Sequence, residues 1–386
     1  MATISRMAAA LLAAACVMFC AAGAFAADRA KAGAGTAMQA DEPTLEAMLG
    51  QMVMVGFRGL MADPESAIGQ DIRAGRVGGV ILFDYDVALK SRTRNIDNPA
   101  QVLALTRGLQ AMTPDTLLVA VDQEGGRVMR LKPRYGFPDS PSAELLGEAG
   151  DPEATRGVAS AMGQTLATAG FNLDFAPVVD VNVNPANPVI GGLGRSFSGD
   201  SEVVAQQAGA FVQGLHEHGV LSCLKHFPGH GSSTGDTHVG LTDVTRTWTE
   251  AELIPYRRLI AAGLVDMIMT AHIVNRKLDA RLPASLSEKV ITGLLRGELG
   301  FDGVVVSDDL QMGAIAKEYS PEKAAVLAIH AGADIVLFGN NLNYDPGVAR
   351  RVVAHLVKEV RAGRIDAQRI RRSYERIRRL KDSIAR

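Results

Sequence analysis

Eight short apolar segments recur along the chain, and longer segments with helical spacing separate them. In the short segments Val, Ile, Leu and Met stand at consecutive positions, a pattern typical of strands that are buried on both faces of a sheet. We predict strands at residues 51–57, 77–83, 117–121, 171–181, 221–226, 266–272, 303–307 and 334–338.

The intervening segments carry small and apolar residues three and four positions apart, which predicts helices, most clearly at 153–169 and 202–218. Ser201 and Ser320 have the character of helix N-caps, and Pro321 follows in a first turn. Glycines stand where helices should end, at positions 170, 219, 263 and 332. This alternation predicts an α/β fold, a single (β/α)8 barrel of the TIM type, with a doubly wound open sheet as the alternative.

The composition is that of an ordinary globular protein, since 47% of the 386 residues are hydrophobic and 21% are charged. It excludes a disordered chain. Forty Lys and Arg against 42 Asp and Glu leave no overall positive surplus that would favour nucleic acid as a partner. Residues 346–386, however, hold 13 Lys and Arg against four Asp and Glu, which leaves the rest of the chain at −11. We interpret this basic segment as the solvated face of C-terminal helices.

The first 26 residues have the pattern of an export signal. Arg6 precedes an apolar run at 7–24, and residues 24–26 read Ala-Phe-Ala, an A-x-A cleavage site. We expect a signal peptide at 1–26, a linker at 27–41 and the folded domain at 42–386. The expected location is the periplasm, with a lipoprotein anchored at Cys16 as the alternative.

Once the signal is removed, no segment is long and apolar enough to span a bilayer. Cys16 and Cys20 lie within the signal, so Cys223 would be the single cysteine of the mature chain. An internal disulfide is then excluded.

Charged residues collect where the predicted strands end, which is where a barrel places its active site. They include Asp122, Glu124, Asp174, Asp180, Lys225, His226, His272, Asp308 and Asp309. Neighbouring strand residues point to opposite faces, so at most one of Asp308 and Asp309 should face a pocket.

The segment from Lys225 to His238 is the richest in candidate chemistry. A metal site at His226, His230 and His238 is disfavoured, because no pair has the HExxH spacing and there is no cysteine partner. Histidines that satisfy loop backbone groups are the structural alternative. Asp236 beside His238 suits a general acid/base, because a carboxylate orients the imidazole and stabilises its protonated form. The glycine pairs at 125–126 and 191–192 match no nucleotide-binding pattern.

Five motifs occur in order along the chain: DQEGGRVMR at 122–130, NLDFAPVVDVN at 172–182, GRSF at 194–197, KHFPGHG at 225–231 followed by DTH at 236–238, and SDDLQM at 307–312. Together they resemble the family 3 glycoside hydrolases, in particular the bacterial β-N-acetylglucosaminidases. KHFPGHG with a nearby Asp-x-His is the most specific of them. Members commonly have Asp-Ser-His and then Leu-Pro, where this chain has Thr237 and then Leu241-Thr242.

The resemblance implies a role for each matching residue. Asp308 is the expected nucleophile, His238 the general acid/base and Asp236 its orienting partner. The residues expected to hold a terminal N-acetylglucosamine are Asp122, Arg130, Arg195, Lys225 and His226. The implied activity is a retaining exo-β-N-acetylglucosaminidase that uses no metal or other cofactor and acts on peptidoglycan fragments or chitooligosaccharides.

Two alternatives stay open. A relative could cleave β-glucosides or transfer the sugar to phosphate, because a histidine acid/base avoids the repulsion between a carboxylate and phosphate. The other alternative is a catalytically inactive wall-binding protein, which would need neither the nucleophile nor the dyad.

Overall fold

Eight parallel strands form the centre of the computed structural model, which describes residues 42–384. The expected signal peptide at 1–26 and linker at 27–41 lie outside the described residues. The strands are β1 (Val53–Gly56), β2 (Gly79–Ile81), β3 (Leu118–Val121), β4 (Leu173–Asp174), β5 (Leu221–Phe227), β6 (Met267–Thr270), β7 (Val304–Ser307) and β8 (Val336–Phe338).

The sheet closes on itself. Consecutive strands are neighbours from β1 to β7, and β8 pairs with β1 in parallel, with Val53 opposite Val336. The remaining gap between β7 and β8 is bridged where Ser307 N donates to Ile335 O at 3.0 Å. The predicted barrel is therefore confirmed, and the open-sheet alternative is wrong. Cys223, in the middle of β5, is fully buried.

Helices cover the outside of the barrel. They are α1 (Leu45–Gln51), α2 (Ala67–Arg73), α3 (Pro99–Gln110), α4 (Ala143–Ala149), α5 (Pro152–Thr168), α6 (Ser201–His216), α7 (Ile254–Ala261), α8 (Gly313–Ala316), α9 (Pro321–Ala331), α10 (Val348–Arg361) and α11 (Ala367–Ile384), with a π-helix at Lys289–Glu298. Short 3-10 turns lie at Pro133–Tyr135, Gly191–Leu193, Glu250–Leu253 and Ala284–Leu286. No helix in the described part of the chain combines the length and hydropathy that crossing a membrane requires.

The two clearest predicted helices are confirmed as α5 and α6. The N-cap of α6 is Asp200 rather than Ser201, because the Asp200 carboxylate accepts the N–H of Glu202 at 2.8 Å. Ser320 caps α9 as predicted, with Pro321 in the first turn.

The predicted strand at 171–181 is wrong beyond Asp174. Pro177 has no N–H to donate to a ladder, so regular pairing cannot continue through it. Past Asp174 the contacts with β5 are irregular: Cys223 N donates to Ala176 O at 2.9 Å, and Val179 N donates to Lys225 O at 2.8 Å.

Arginines of the C-terminal helices α10 and α11 form ion pairs with acidic residues of the preceding part of the chain. Asp334, buried just before β8, accepts Arg296 Nη2 and Ser373 Oγ at 2.6 Å each and lies 3.3 Å from Arg369 Nη1. Further pairs join Arg361 to Glu46, Arg376 and Arg379 to Asp302, and Arg378 to Asp115. Much of the positive surplus of the segment 346–386 is therefore neutralised within the molecule.

Replacing Asp334 with Asn should lower the free energy of unfolding by about 3–5 kcal/mol, because it removes the buried negative charge that Arg296 and Arg369 face. Denaturant unfolding measures the change. Asp302→Asn is the matched control, since that carboxylate is 73% exposed and its loss should cost under about 1 kcal/mol. Equal losses in the two variants would show that Asp334 does not fix α11.

Candidate active site

A cavity of about 320 Å³ opens at the C-terminal ends of the barrel strands. The predicted catalytic and substrate-binding residues meet there. Those that line it are Asp122, Arg130, Arg195, Lys225, His226, His238 and Asp308. Asp236 does not line the cavity but accepts a hydrogen bond from the backbone of His238.

Residues of alternating charge form a row of ion pairs along one wall of this cavity. Lys225 Nζ lies 2.9 Å from Asp122 Oδ1 and 2.6 Å from Glu124 Oε1. Arg195 binds Glu124 through two bonds of 2.7 Å, and Arg130 Nη2 donates to Asp122 Oδ2 at 3.1 Å. Burial opposes ionisation of Asp122, but Lys225 and Arg130 outweigh it and hold its pKa well below the usual range. We call Arg130, Asp122, Lys225, Glu124 and Arg195 the ion network.

Asp180 orients His226 from below. Its carboxylate lies 2.7 Å from His226 Nδ1, and its other oxygen accepts the backbone N–H of His226 at 3.1 Å and of His230 at 2.7 Å. Burial acts against the charge, but the His226 imidazole outweighs it, so the pKa of Asp180 is lowered. Nδ1 of His226 is thereby engaged, and Nε2 lies 3.5 Å from Arg195 Nη2.

Asp308 is a half-buried carboxylate with one short backbone partner, the N–H of Asp309 at 2.8 Å. Burial by itself raises its pKa, but the imidazoles of His272, His226 and His238 outweigh burial and hold it below its usual value. Asp308 is thus ionised at neutral pH, as a nucleophile must be.

Asp309 also lines the cavity, so the expectation that only one of the pair faces it is wrong. Strand β7 ends at Ser307, and the alternation of faces does not extend past it. Asp309 Oδ1 accepts the backbone N–H groups of Gln311 and Gly339 at 3.0 and 2.9 Å. Burial raises its pKa to about 6. Its role is to hold the two neighbouring loops.

The dyad of His238 and Asp236 lies on a loop at the mouth. His238 Nδ1 is 2.8 Å from Asp236 Oδ1, and the imidazole is 56% exposed. The loop is fixed to the start of α8, because Gly313 N donates to His238 O at 3.1 Å. A Cβ at position 313 would lie only 2.7 Å from that carbonyl oxygen, so glycine is required there. The loop rejoins the scaffold at Thr242–Asp243, which pairs with Ile273–Val274.

The other histidines have structural partners. His230 Nδ1 lies 2.7 Å from Ser233 Oγ, and burial lowers the pKa of His230 to about 4. His272 lies 2.6 Å from Ser285 Oγ and 2.9 Å from the backbone oxygen of Asp309. Within residues 42–384 no group of three or more His, Cys, Asp or Glu is arranged to hold a metal ion.

A model of one protein family, the glycosyl hydrolase family 3 N-terminal domain, matches residues 44–380. The chain belongs to glycosyl hydrolase family 3. Two of its curated relatives are β-hexosaminidases. The chain is 34% identical over 380 residues to β-hexosaminidase A of Pseudoalteromonas piscicida, covering 88% of this chain and 61% of that protein. It is 39% identical over 294 residues to the β-hexosaminidase of Nitrosospira multiformis, and the match covers 74% of this chain and 78% of that protein.

Solved structures of this family are similar throughout the barrel. A family 3 β-N-acetylglucosaminidase from Paenibacillus sp. str. FPU-7 superposes with a TM-score of 0.81 at 41% identity, covering 89% of this chain and 63% of that one. A β-N-acetylhexosaminidase from Beutenbergia cavernae superposes with a TM-score of 0.79 at 35% identity, and the match covers 88% of this chain and 99% of that one. The family 3 chain therefore spans less than two thirds of some relatives and nearly all of another.

Three residues that support the family 3 site were given no role from the sequence. Glu124 and Asp180 lie inside recognised motifs, so their position could have suggested one. Glu252 lies in the 3-10 turn Glu250–Leu253 and had no such signal. It is fully buried, and its carboxylate accepts the N–H groups of Gly231 and Ser232 at 3.0 and 3.3 Å. Glu252 thereby holds the KHFPGHG loop.

Burial raises the pKa of Glu252 from 4.5 to about 7. The folded state then keeps a proton that the unfolded chain releases, so this group lowers stability as pH rises from 4.5 to about 7. The Glu252→Gln variant should lose that slope. The free energy of unfolding of the variant minus that of the parent should therefore increase by on the order of 3 kcal/mol between pH 4.5 and about 7.

Urea unfolding at pH 5 and pH 8 measures this difference. Glu250→Gln, which changes an exposed residue of the same turn, is the control and should follow the parent at both pH values. If Glu252→Gln also follows the parent, the Glu252 carboxylate does not titrate in this range.

Proposed function

We propose that this family 3 protein is a retaining exo-β-N-acetylglucosaminidase. The observation that carries the proposal is a cavity lined by both the ionised Asp308 carboxylate and His238, whose Nδ1 is paired with Asp236. Relatives and similar structures named β-hexosaminidase and β-N-acetylglucosaminidase support the substrate class.

In the proposed reaction Asp308 attacks the anomeric carbon of the terminal sugar while the protonated His238 gives its proton to the glycosidic oxygen. The bond to the leaving sugar breaks, and a covalent glycosyl–Asp308 ester forms. His238, now neutral, takes a proton from water, whose oxygen attacks the anomeric carbon and releases the sugar with retained configuration. Asp236 orients the imidazole and stabilises its positive charge in each half-reaction.

The ion network and His226 are proposed to hold the hydroxyl groups of the terminal sugar. Its carboxylates and cations supply acceptors and donors already fixed in place, so little ordering is required on binding. The inner end of the cavity is lined by buried apolar side chains, among them Phe175 and Met269. A cavity lined in this way at its inner end suits removal of a single terminal residue.

We also propose that the protein is exported to the periplasm and handles peptidoglycan fragments or chitooligosaccharides there. The signal pattern at 1–26 supports export. The intact mass of the mature protein tests it: a chain that begins at Ala27 supports a free enzyme, and a lipid-modified Cys16 supports an anchored one.

The alternatives are separated by comparing aryl β-N-acetylglucosaminide with aryl β-glucoside, each with and without phosphate. Faster turnover of the glucoside, or sugar phosphate as the product, would contradict the proposal. A folded protein that turns over neither glycoside would favour a wall-binding role.

Asp308→Ala should lower turnover of the aryl N-acetylglucosaminide by at least about 10⁴-fold, because no covalent intermediate can form. Steady-state kinetics measures the loss, and circular dichroism with thermal unfolding checks that the variant is folded. A folded variant with the parent's rate would remove Asp308 from the role of nucleophile.

His238→Ala should affect leaving groups unequally. Substrates with poor leaving groups require protonation and should lose about 10²–10⁴-fold in kcat/KM, whereas an activated aryl glycoside should lose far less in the glycosylation step. A series of aryl leaving groups of graded acidity measures this. Losses that are equal across the series would assign the acid role to another group.

A further inference from the structure

The segment after β2, residues 84–92, forms part of the cavity mouth. Tyr85 and Val87 line the cavity although their side chains are 38% and 43% exposed. Deeper lining residues such as Lys225 are buried. Tyr85 and Val87 therefore offer an apolar surface at the open end of the site, which we call the mouth platform.

The mouth platform is held rigidly from beneath by Asp86. This buried carboxylate accepts Arg58 Nε at 2.7 Å, Arg94 Nη1 at 2.5 Å and the backbone N–H of Leu89 at 2.9 Å. Arg94 is fully buried, and the Arg58 guanidinium stacks 4.0 Å from the ring centre of Tyr344. A loop fixed in this way can present side chains to a ligand without ordering them first.

Hydrogen bonds join the platform to the catalytic wall through the segment after β8. Val87 N donates to Asn341 Oδ1 at 3.0 Å, and Asn341 Nδ2 donates to Tyr85 O at 3.1 Å. Gly339, two residues earlier, donates to Asp309, the neighbour of the nucleophile. The position of Tyr85 is thereby tied to that of Asp308.

The leaving group of a glycosidase lies beside its acid/base. His238 is the exposed catalytic group, at the same open end as Tyr85 and Val87. A pyranose ring has one face rich in C–H groups, which packs on an aromatic or aliphatic surface while the hydroxyl groups stay in water. The mouth platform has the chemistry to bind such a ring.

Resting on the proposed function, we propose that Tyr85 and Val87 bind the sugar on the leaving-group side of the scissile bond.

The test compares N,N′-diacetylchitobiose with methyl β-N-acetylglucosaminide, because both have alkyl leaving groups and differ in the second ring. Tyr85→Ala should lower kcat/KM for diacetylchitobiose by about tenfold and leave the methyl glycoside within about twofold. Tyr85→Phe should keep the parent's ratio. Leu89→Ala is the matched control, since Leu89 is 64% exposed on the same loop and does not line the cavity.

Equal losses on both glycosides, or no loss on diacetylchitobiose, would overturn the role of the mouth platform alone. A folded parent that hydrolyses none of these glycosides would instead contradict the proposed function, on which this inference rests.

Discussion

The site depends on the pairing of charges that the barrel removes from water. Lys225 and Glu124 are buried, and an unpaired ion at either position would cost several kcal/mol of desolvation. The ion network meets this cost by alternating signs over residues that are distant in the chain. Lys225 belongs to β5, Asp122 and Glu124 follow β3, and Arg195 lies before α6. The network therefore forms only when these strands and loops have come together.

The residues around the cavity divide by their exposure to water. Lys225 and Glu124 are buried, and the rest of the ion network and Asp308 are half-buried, so their charges are partly shielded from water. His238 is open to solvent, which suits the proposed role of an acid/base that exchanges protons with water. Asp180, Asp309 and Glu252 hold the loops between these regions through backbone N–H groups.

Much of the fold could be read from the sequence, because strands buried on both faces leave continuous apolar runs. The predicted strand at 171–181 was much too long. It contains Pro177, which counts as apolar in the pattern although it lacks the N–H that a strand needs. The residues gathered at the cavity were found through motifs that follow strand ends. Asp180 and Glu252 were not assigned, since their roles depend on N–H groups 50 and 21 residues away along the chain.

The charge pattern shows a similar limit. The sequence revealed a basic C-terminal segment and an acidic remainder, but it gave no partners for individual arginines. Asp334 shows why, because it is adjacent to Ala333 and Ile335, both apolar, and its arginines come from two different helices. Only the folded barrel brings these groups to one point.

The buried thiol of Cys223 can report how often the barrel opens. Burial raises the pKa of its thiol well above the usual value, so the reactive thiolate is suppressed in the folded state. The thiol lies within β5, between β4 and β6, and a reagent reaches it only when those strands separate. The rate at which Cys223 is labelled would then follow the population of molecules whose central strands have parted, without any engineered probe.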